Sequence, residues 1–165
     1  MLYFAYGSNL NPHQMQRRCP GAQPEGRALL TNWRLILTSR GSANIVRAPG
    51  AGVHGALWRF EPRHLALMDR WEGVSRGVYR RYWCRVQCPN GEERSAVTYV
   101  GANASAGRGK AHYVLNTMLP GAVAFDLPPS FIDEILSWLP RRPIAAKRQY
   151  LGRRTPPAQR SDRRR

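Results

Sequence analysis

Residues 2–10 read Leu2-Tyr3-Phe4-Ala5-Tyr6-Gly7-Ser8-Asn9-Leu10, an apolar and aromatic run that passes straight into a turn of small residues. The run has the composition of a buried strand, and Asn11-Pro12 after it places a capping side chain ahead of a proline at a first helical position. A strand, a Gly-Ser-Asn turn and a helix start in that order make a nest of backbone N–H donors that suits an anion without any basic side chain. The same residues also make ordinary strand-to-helix turns, so turn chemistry by itself leaves both readings open.

Outward from this stretch, periodicity gives a mixture of strands and short helices. A short helix starts at Pro12 and stops before Pro20, residues 33–38 form a strand, and residues 39–52, rich in Gly, Ser and Ala, form a mobile loop. Residues 53–60 alternate as a further strand. Glu61-Pro62 then opens a helix on which Leu65, Met68 and Trp71 recur every three residues, with Gly73 placed to end it in a left-handed cap. Residues 78–86 and 95–100 alternate on either side of Pro89-Asn90-Gly91, a hairpin signal, and residues 110–119 and 130–139 have helical patterns. The fold class expected is α+β with a mostly antiparallel sheet.

A second block, Trp71-Glu72-Gly73-Val74 through Gly77-Val78-Tyr79, lies downstream of the opening one. The two blocks together resemble the γ-glutamylcyclotransferase family, whose opening loop and E-G-V-x-x-G-x-Y block they match in order. Tyr113 sits where that family has a substrate-contacting tyrosine. The resemblance covers residues 1–139 and implies a small, closed or nearly closed, mostly antiparallel β-barrel flanked by short helices, with a pocket at its mouth. It implies a γ-glutamyl cyclotransferase: an enzyme in which the free α-amine of a small-molecule γ-glutamyl compound attacks its own γ-carbonyl, closes 5-oxoproline and expels the acylated amine. It implies Glu72 as the general acid/base, and Tyr3, Phe4, Ala5, Tyr6, Gly7, Ser8, Asn9, Tyr79 and Tyr113 as substrate-binding residues. No metal or organic cofactor is required by that chemistry. The common blocks recognise the glutamyl half, and the leaving group falls to the loops 39–52 and 101–109.

Glu72 also draws attention on physical grounds, because a carboxylate in the last turn of a helix faces the negative end of the helix dipole, which raises its proton affinity. An apolar neighbour such as Trp71 raises it further and suits a proton carrier near neutrality. A solvated helix-end glutamate is the plain alternative. Arg76, Arg80 and Arg81 near it are expected either to form a basic rim that attracts anionic substrates or to be solvated strand charges.

The chain has 165 residues, 42% apolar and 10% aromatic, enough for one packed domain over residues 1–139. Of the net charge of +16, residues 140–165 carry +9 from ten Lys or Arg and one Asp, which reads as a basic, disordered tail. That tail gives a second functional class, a nucleic-acid-associated protein, although it lacks the interleaved aromatics of a single-strand binder. A third class is a non-catalytic ligand-binding domain of the same fold. Cys19, Cys84 and Cys88 give neither a disulfide framework nor a zinc spacing, and the histidines at 13, 54, 64 and 112 fall in no catalytic register. Residues 107–110, Gly-Arg-Gly-Lys, lack the spacing of a phosphate loop and read as a linker. With no secretory leader and no apolar run of membrane-spanning length, the expected setting is the cytoplasm.

Overall fold

The computed structural model describes residues 1–107 and 110–139. The readings of a disordered tail over 140–165, and of a linker at Arg108 and Gly109, lie outside the described residues.

Five strands close into a barrel in the order β1-β3-β2-β4-β5, with β1 spanning Leu2–Ala5, β2 Gln23–Leu37, β3 Ala43–Arg59, β4 Tyr79–Gln87 and β5 Glu93–Gly101. Neighbours pair antiparallel except β1 and β5, which close the barrel in parallel through Tyr3 opposite Val97. All four residues of β1 are buried, as an uninterrupted apolar strand between other elements must be. The core includes Phe4, Ile45, Leu57, Trp58, Val97 and Tyr99 from the strands, and the helices α4 (Leu119–Ala124) and α5 (Pro129–Ser137) bring Leu119, Ala122, Phe131 and Ile135 to it.

The sheet differs from the expected one in the middle of the chain. Residues 43–52 are not a loop but the first part of β3, paired with a β2 that begins ten residues earlier than its apolar core at 33–38 suggests. The pattern is obscured by a bulge. Thr31 faces Gly52 and Trp33 faces Arg47, so Asn32 alone on β2 opposes residues 48–51 on β3. Asn32 takes the left-handed backbone this requires (φ 62°), and its Oδ1 accepts the Gly50 N–H at 3.0 Å. Small residues and a proline on β3 are there to accommodate the bulge.

Two short helices sit at one end of the barrel. Asn11 caps α1 (Pro12–Arg18), its Oδ1 accepting the Gln14 N–H at 3.2 Å. The helix α2 (Pro62–Glu72) starts after Glu61, whose N–H donates to His64 Nδ1 at 3.1 Å, and ends on Gly73 at φ 65°. Leu65 and Met68 are buried as the period predicts, whereas Trp71 is 56% exposed. The last turn of α2 has run past the core, and the Trp71 ring is instead covered by the Arg18 guanidinium, 5.1 Å from its centroid. The expected helix over 110–119 is broken into α3 (Ala111–Tyr113) and a π-helical turn at Val114–Met118 that leads into α4. Pro120 explains the widening, since it has no N–H to give and its ring would strike the carbonyl four residues back.

Candidate active site

β1 delivers the chain to the barrel mouth, where a single 3-10 turn, Ser8–Leu10, joins it to α1. The turn's own bonds run from Leu10 N–H to the Gly7 carbonyl (3.0 Å) and from Asn11 N–H to the Ser8 carbonyl (3.1 Å), so the turn does not use the N–H groups of Gly7, Ser8 and Asn9. Beside it lies a cavity of about 320 Å³. Its walls come from the opening turn, from Gln14 and Arg18 on α1, from Trp71 and Glu72 at the end of α2, and from Ser42, Ala43, Tyr79, Tyr99 and Tyr113.

Glu72 is held in this cavity with its side chain 13% exposed. Its Oε1 accepts from Asn9 Nδ2 at 2.9 Å and from Arg18 at 3.4 Å, while Oε2 has no partner among the described residues. Burial pushes the carboxyl above its usual range, and the Arg18 charge and then the Asn9 hydrogen bond pull it part of the way back. Desolvation is the leading cause of the raised proton affinity.

Asn9 organises the group. Its Nδ2 also donates to Tyr3 Oη at 2.8 Å, and its Oδ1 accepts from Arg18 at 2.8 Å, which ties strand, turn, α1 and α2 to one amide. The phenols of Tyr79 and Tyr113 bracket the Ala43 peptide: Tyr79 Oη donates to its carbonyl at 2.7 Å and Tyr113 Oη accepts its N–H at 3.4 Å. Burial raises the proton affinity of Tyr3, Tyr6, Tyr79 and Tyr113, so all four are neutral hydroxyls at physiological pH. Gly7 is needed for this arrangement, because a Cβ there would stand 2.9 Å from the Ala43 Cβ and 3.2 Å from the Tyr113 hydroxyl.

Of the residues expected from sequence, Tyr3, Tyr6, Gly7, Ser8, Asn9, Glu72, Tyr79 and Tyr113 line the cavity. Phe4 and Ala5 do not; they are buried in the barrel, where the Phe4 ring packs beneath Gly55 and the Phe4 carbonyl accepts from Thr98 at 2.8 Å. The expected basic rim is different in detail. Arg81 is engaged by Asp69, Arg80 lies over Tyr82, and Arg76 lines a neighbouring hollow. The cation against Glu72 is Arg18, which the sequence reading passed over. Its signal was present: once Pro12 starts a helix, Gln14 and Arg18 stand four apart on one face.

A further hollow of about 460 Å³ lies between β2, β3, the β4–β5 turn and residues 126–129. Its Arg27 and Asp126 are paired with each other at 2.7 Å, and its walls are mostly apolar. Among the described residues no three His, Cys, Asp or Glu side chains cluster as metal ligands, and no helix is long and apolar enough to cross a membrane.

A small closed barrel with an enclosed carboxylate of raised proton affinity, neutral phenols and spare backbone donors around one cavity is equipped for proton transfer on a small polar molecule. The family described as "Gamma-glutamyl cyclotransferase, AIG2-like" matches residues 3–116, and the chain belongs to that enzyme family. The mouse protein named gamma-glutamylcyclotransferase is 29% identical over 144 residues, covering 81% of this chain and 76% of its own. The bovine protein of the same name is 33% identical over 112 residues, 62% of this chain and 60% of the relative. Among solved structures, one titled gamma-glutamyl cyclotransferase superposes with a TM-score of 0.79 at 24% identity, over 94% of this chain and 99% of that one. An uncharacterized human protein superposes equally well, at 0.79 and 26% identity, over 91% and 96%. The closed barrel and its flanking helices are therefore the fold of this family.

Proposed function

We propose that the protein is a γ-glutamyl cyclotransferase that releases 5-oxoproline from a γ-glutamyl amino acid or amine, with Glu72 as the proton carrier. The observation that carries this reading is the enclosed Glu72 carboxylate, which shares one cavity with the Gly7-Ser8-Asn9 turn and holds Oε2 open. Nucleophile and electrophile belong to the same substrate. The site's first task is to freeze the folded conformer, an effect that contributes up to about 7–11 kcal/mol when the reacting atoms are well placed.

Proton movement is the second task. The Glu72 carboxylate takes a proton from the α-ammonium, and the freed amine adds to the γ-carbonyl carbon, so that a C–N bond forms and the carbonyl pair moves onto oxygen. The resulting carboxylic acid protonates the departing nitrogen as its C–N bond breaks and the carbonyl returns. After this first transfer the regenerated Glu72 carboxylate takes the remaining extra proton from the ring nitrogen and passes it to the released amine, so that the α-nitrogen sheds two protons, the leaving nitrogen gains two on becoming an ammonium ion, and no water or co-substrate is consumed. Gly7, Ser8 and Asn9 N–H groups serve the anionic parts of the reacting head, and neutral Tyr79 and Tyr113 form its walls.

Glu72→Gln keeps the shape and removes the carrier. Turnover of a panel of γ-glutamyl compounds, scored for 5-oxoproline, should fall by about 10²–10⁴ in this variant with the melting transition retained. Undiminished turnover would exclude Glu72 from the chemistry.

A further inference from the structure

The acylated amine must leave the cavity of Glu72 on one side, and a second hollow of about 390 Å³ adjoins it, sharing Ser42 and Tyr79 as a common wall. Its remaining lining comes from Thr38, Arg40, the Arg76–Val78 stretch and residues 101–103. None of these is acidic, and among the described residues neither Arg40 nor Arg76 is paired with a carboxylate. Both arginines are exposed at the rim, where they can meet an incoming anion without first breaking an ion pair.

The frame behind them is built. Asn44 is fully buried, and its side chain accepts the Gly101 N–H at 2.8 Å and donates to the carbonyls of Gly101 (3.0 Å) and Asn103 (2.8 Å), which fixes the far wall. Arg76 closes a 3-10 turn, Val74–Arg76, held between Gly73 and Gly77, both in the left-handed region at φ 65° and 66°. That turn lies one glycine beyond Glu72, so Arg76 and the carboxylate are set by one segment of chain.

We propose that this second hollow receives the leaving half of the substrate and that Arg40 and Arg76 select leaving amino acids with a carboxylate in the side chain as well as at the α-carbon. The inference rests on the cyclotransferase reading above. A leaving amino acid always brings one carboxylate, which a single guanidinium can bind through two parallel hydrogen bonds. A second guanidinium with no acidic partner is matched by a second carboxylate. The size agrees: the hollow is at least as large as the one proposed to hold the glutamyl head, so a dicarboxylic residue fits where an alanine would leave space.

The test compares 5-oxoproline release from γ-glutamyl-glutamate and γ-glutamyl-glutamine, equal in shape and different by one charge, with γ-glutamyl-alanine as a third substrate. In the wild type, kcat/KM for the glutamate compound should exceed that for the glutamine compound by roughly tenfold at low salt. In Arg40→Met and in Arg76→Met the ratio should fall toward one, and Arg→Lys at either position should restore most of it; a merely structural role would move all substrates together. Equal values in the wild type, a ratio that both Met variants leave intact, or release from the alanine compound alone, would overturn the inference while leaving the cyclotransferase reading in place. No 5-oxoproline from any of the three would overturn the inference, and only the same result across the wider panel of γ-glutamyl amino acids and amines would remove the cyclotransferase reading with it.

Discussion

Glu72 combines two opposed influences, and the balance between them sets the pH at which the site can work. Burial favours the neutral acid, and Arg18 at 3.4 Å favours the carboxylate. Because the proposed mechanism begins with the carboxylate accepting a proton, kcat/KM should decline on the acidic side through the Glu72 titration, at a pH above that of an ordinary glutamate. Arg18→Met removes the stabilising charge, raises the carboxyl's proton affinity further and so moves the acidic limb to higher pH. Below the limb, kcat/KM falls roughly tenfold for every pKa unit gained. Arg18→Lys retains the charge and should hold the limb near its wild-type position, even though Lys cannot reproduce the stacking on Trp71. A pH–rate profile of the three proteins checks this; an unmoved limb in Arg18→Met would mean that the titrating group is not Glu72.

At the scale of elements, α1 matters because it carries both Gln14 and Arg18 into the cavity. It is only seven residues long, too short to be stable by itself, and its start depends on Asn11. Asn11→Ala removes the acceptor of the Gln14 N–H and should cost about 1 kcal/mol, a loss of about 2–4 °C in the melting temperature for a protein of this size. KM should rise with it, since the helix that frays is the one that presents Arg18. Thermal melts and steady-state kinetics on the same preparation check both. This start was legible in the sequence because Asn-Pro acts locally, as were the Pro62–Glu72 helix with its Gly73 cap and the β4–β5 hairpin around Asn90-Gly91. The first ten residues of β3 were not. Their small residues and proline satisfy a bulge opposite Asn32, a demand that exists only once β2 lies beside them. The site followed the same rule: Glu72, Asn9, Tyr3, Tyr6 and Tyr79 lie in contiguous blocks and Tyr113 stands apart, whereas Arg18, Ser42, Ala43 and Tyr99, which no local pattern marks, become part of it through the barrel's closure.

At the scale of the whole molecule, the net charge of +16 divides into +9 from residues 140–165 and +7 from the rest. On the proposed reading both parts would attract an anionic γ-glutamyl substrate, but over different ranges. The field of a charge is screened over about 30 Å at 0.01 M salt and about 8 Å at 0.15 M. Arg18, Arg40 and Arg76 line the two adjoining cavities, so in the proposed reaction they would act at contact distance and keep their influence at physiological salt; the +9 of residues 140–165 is expected to add to the long-range field. A chain ended at Leu139 should therefore show a kcat equal to that of the full chain at every salt concentration. Its kcat/KM should be lower by about two- to fivefold near 0.01 M and should converge on the full-length value near 0.15 M. Steady-state kinetics across a salt series on the two proteins checks this. A drop in kcat itself on truncation would mean that the basic terminus takes part in the reaction rather than in the encounter.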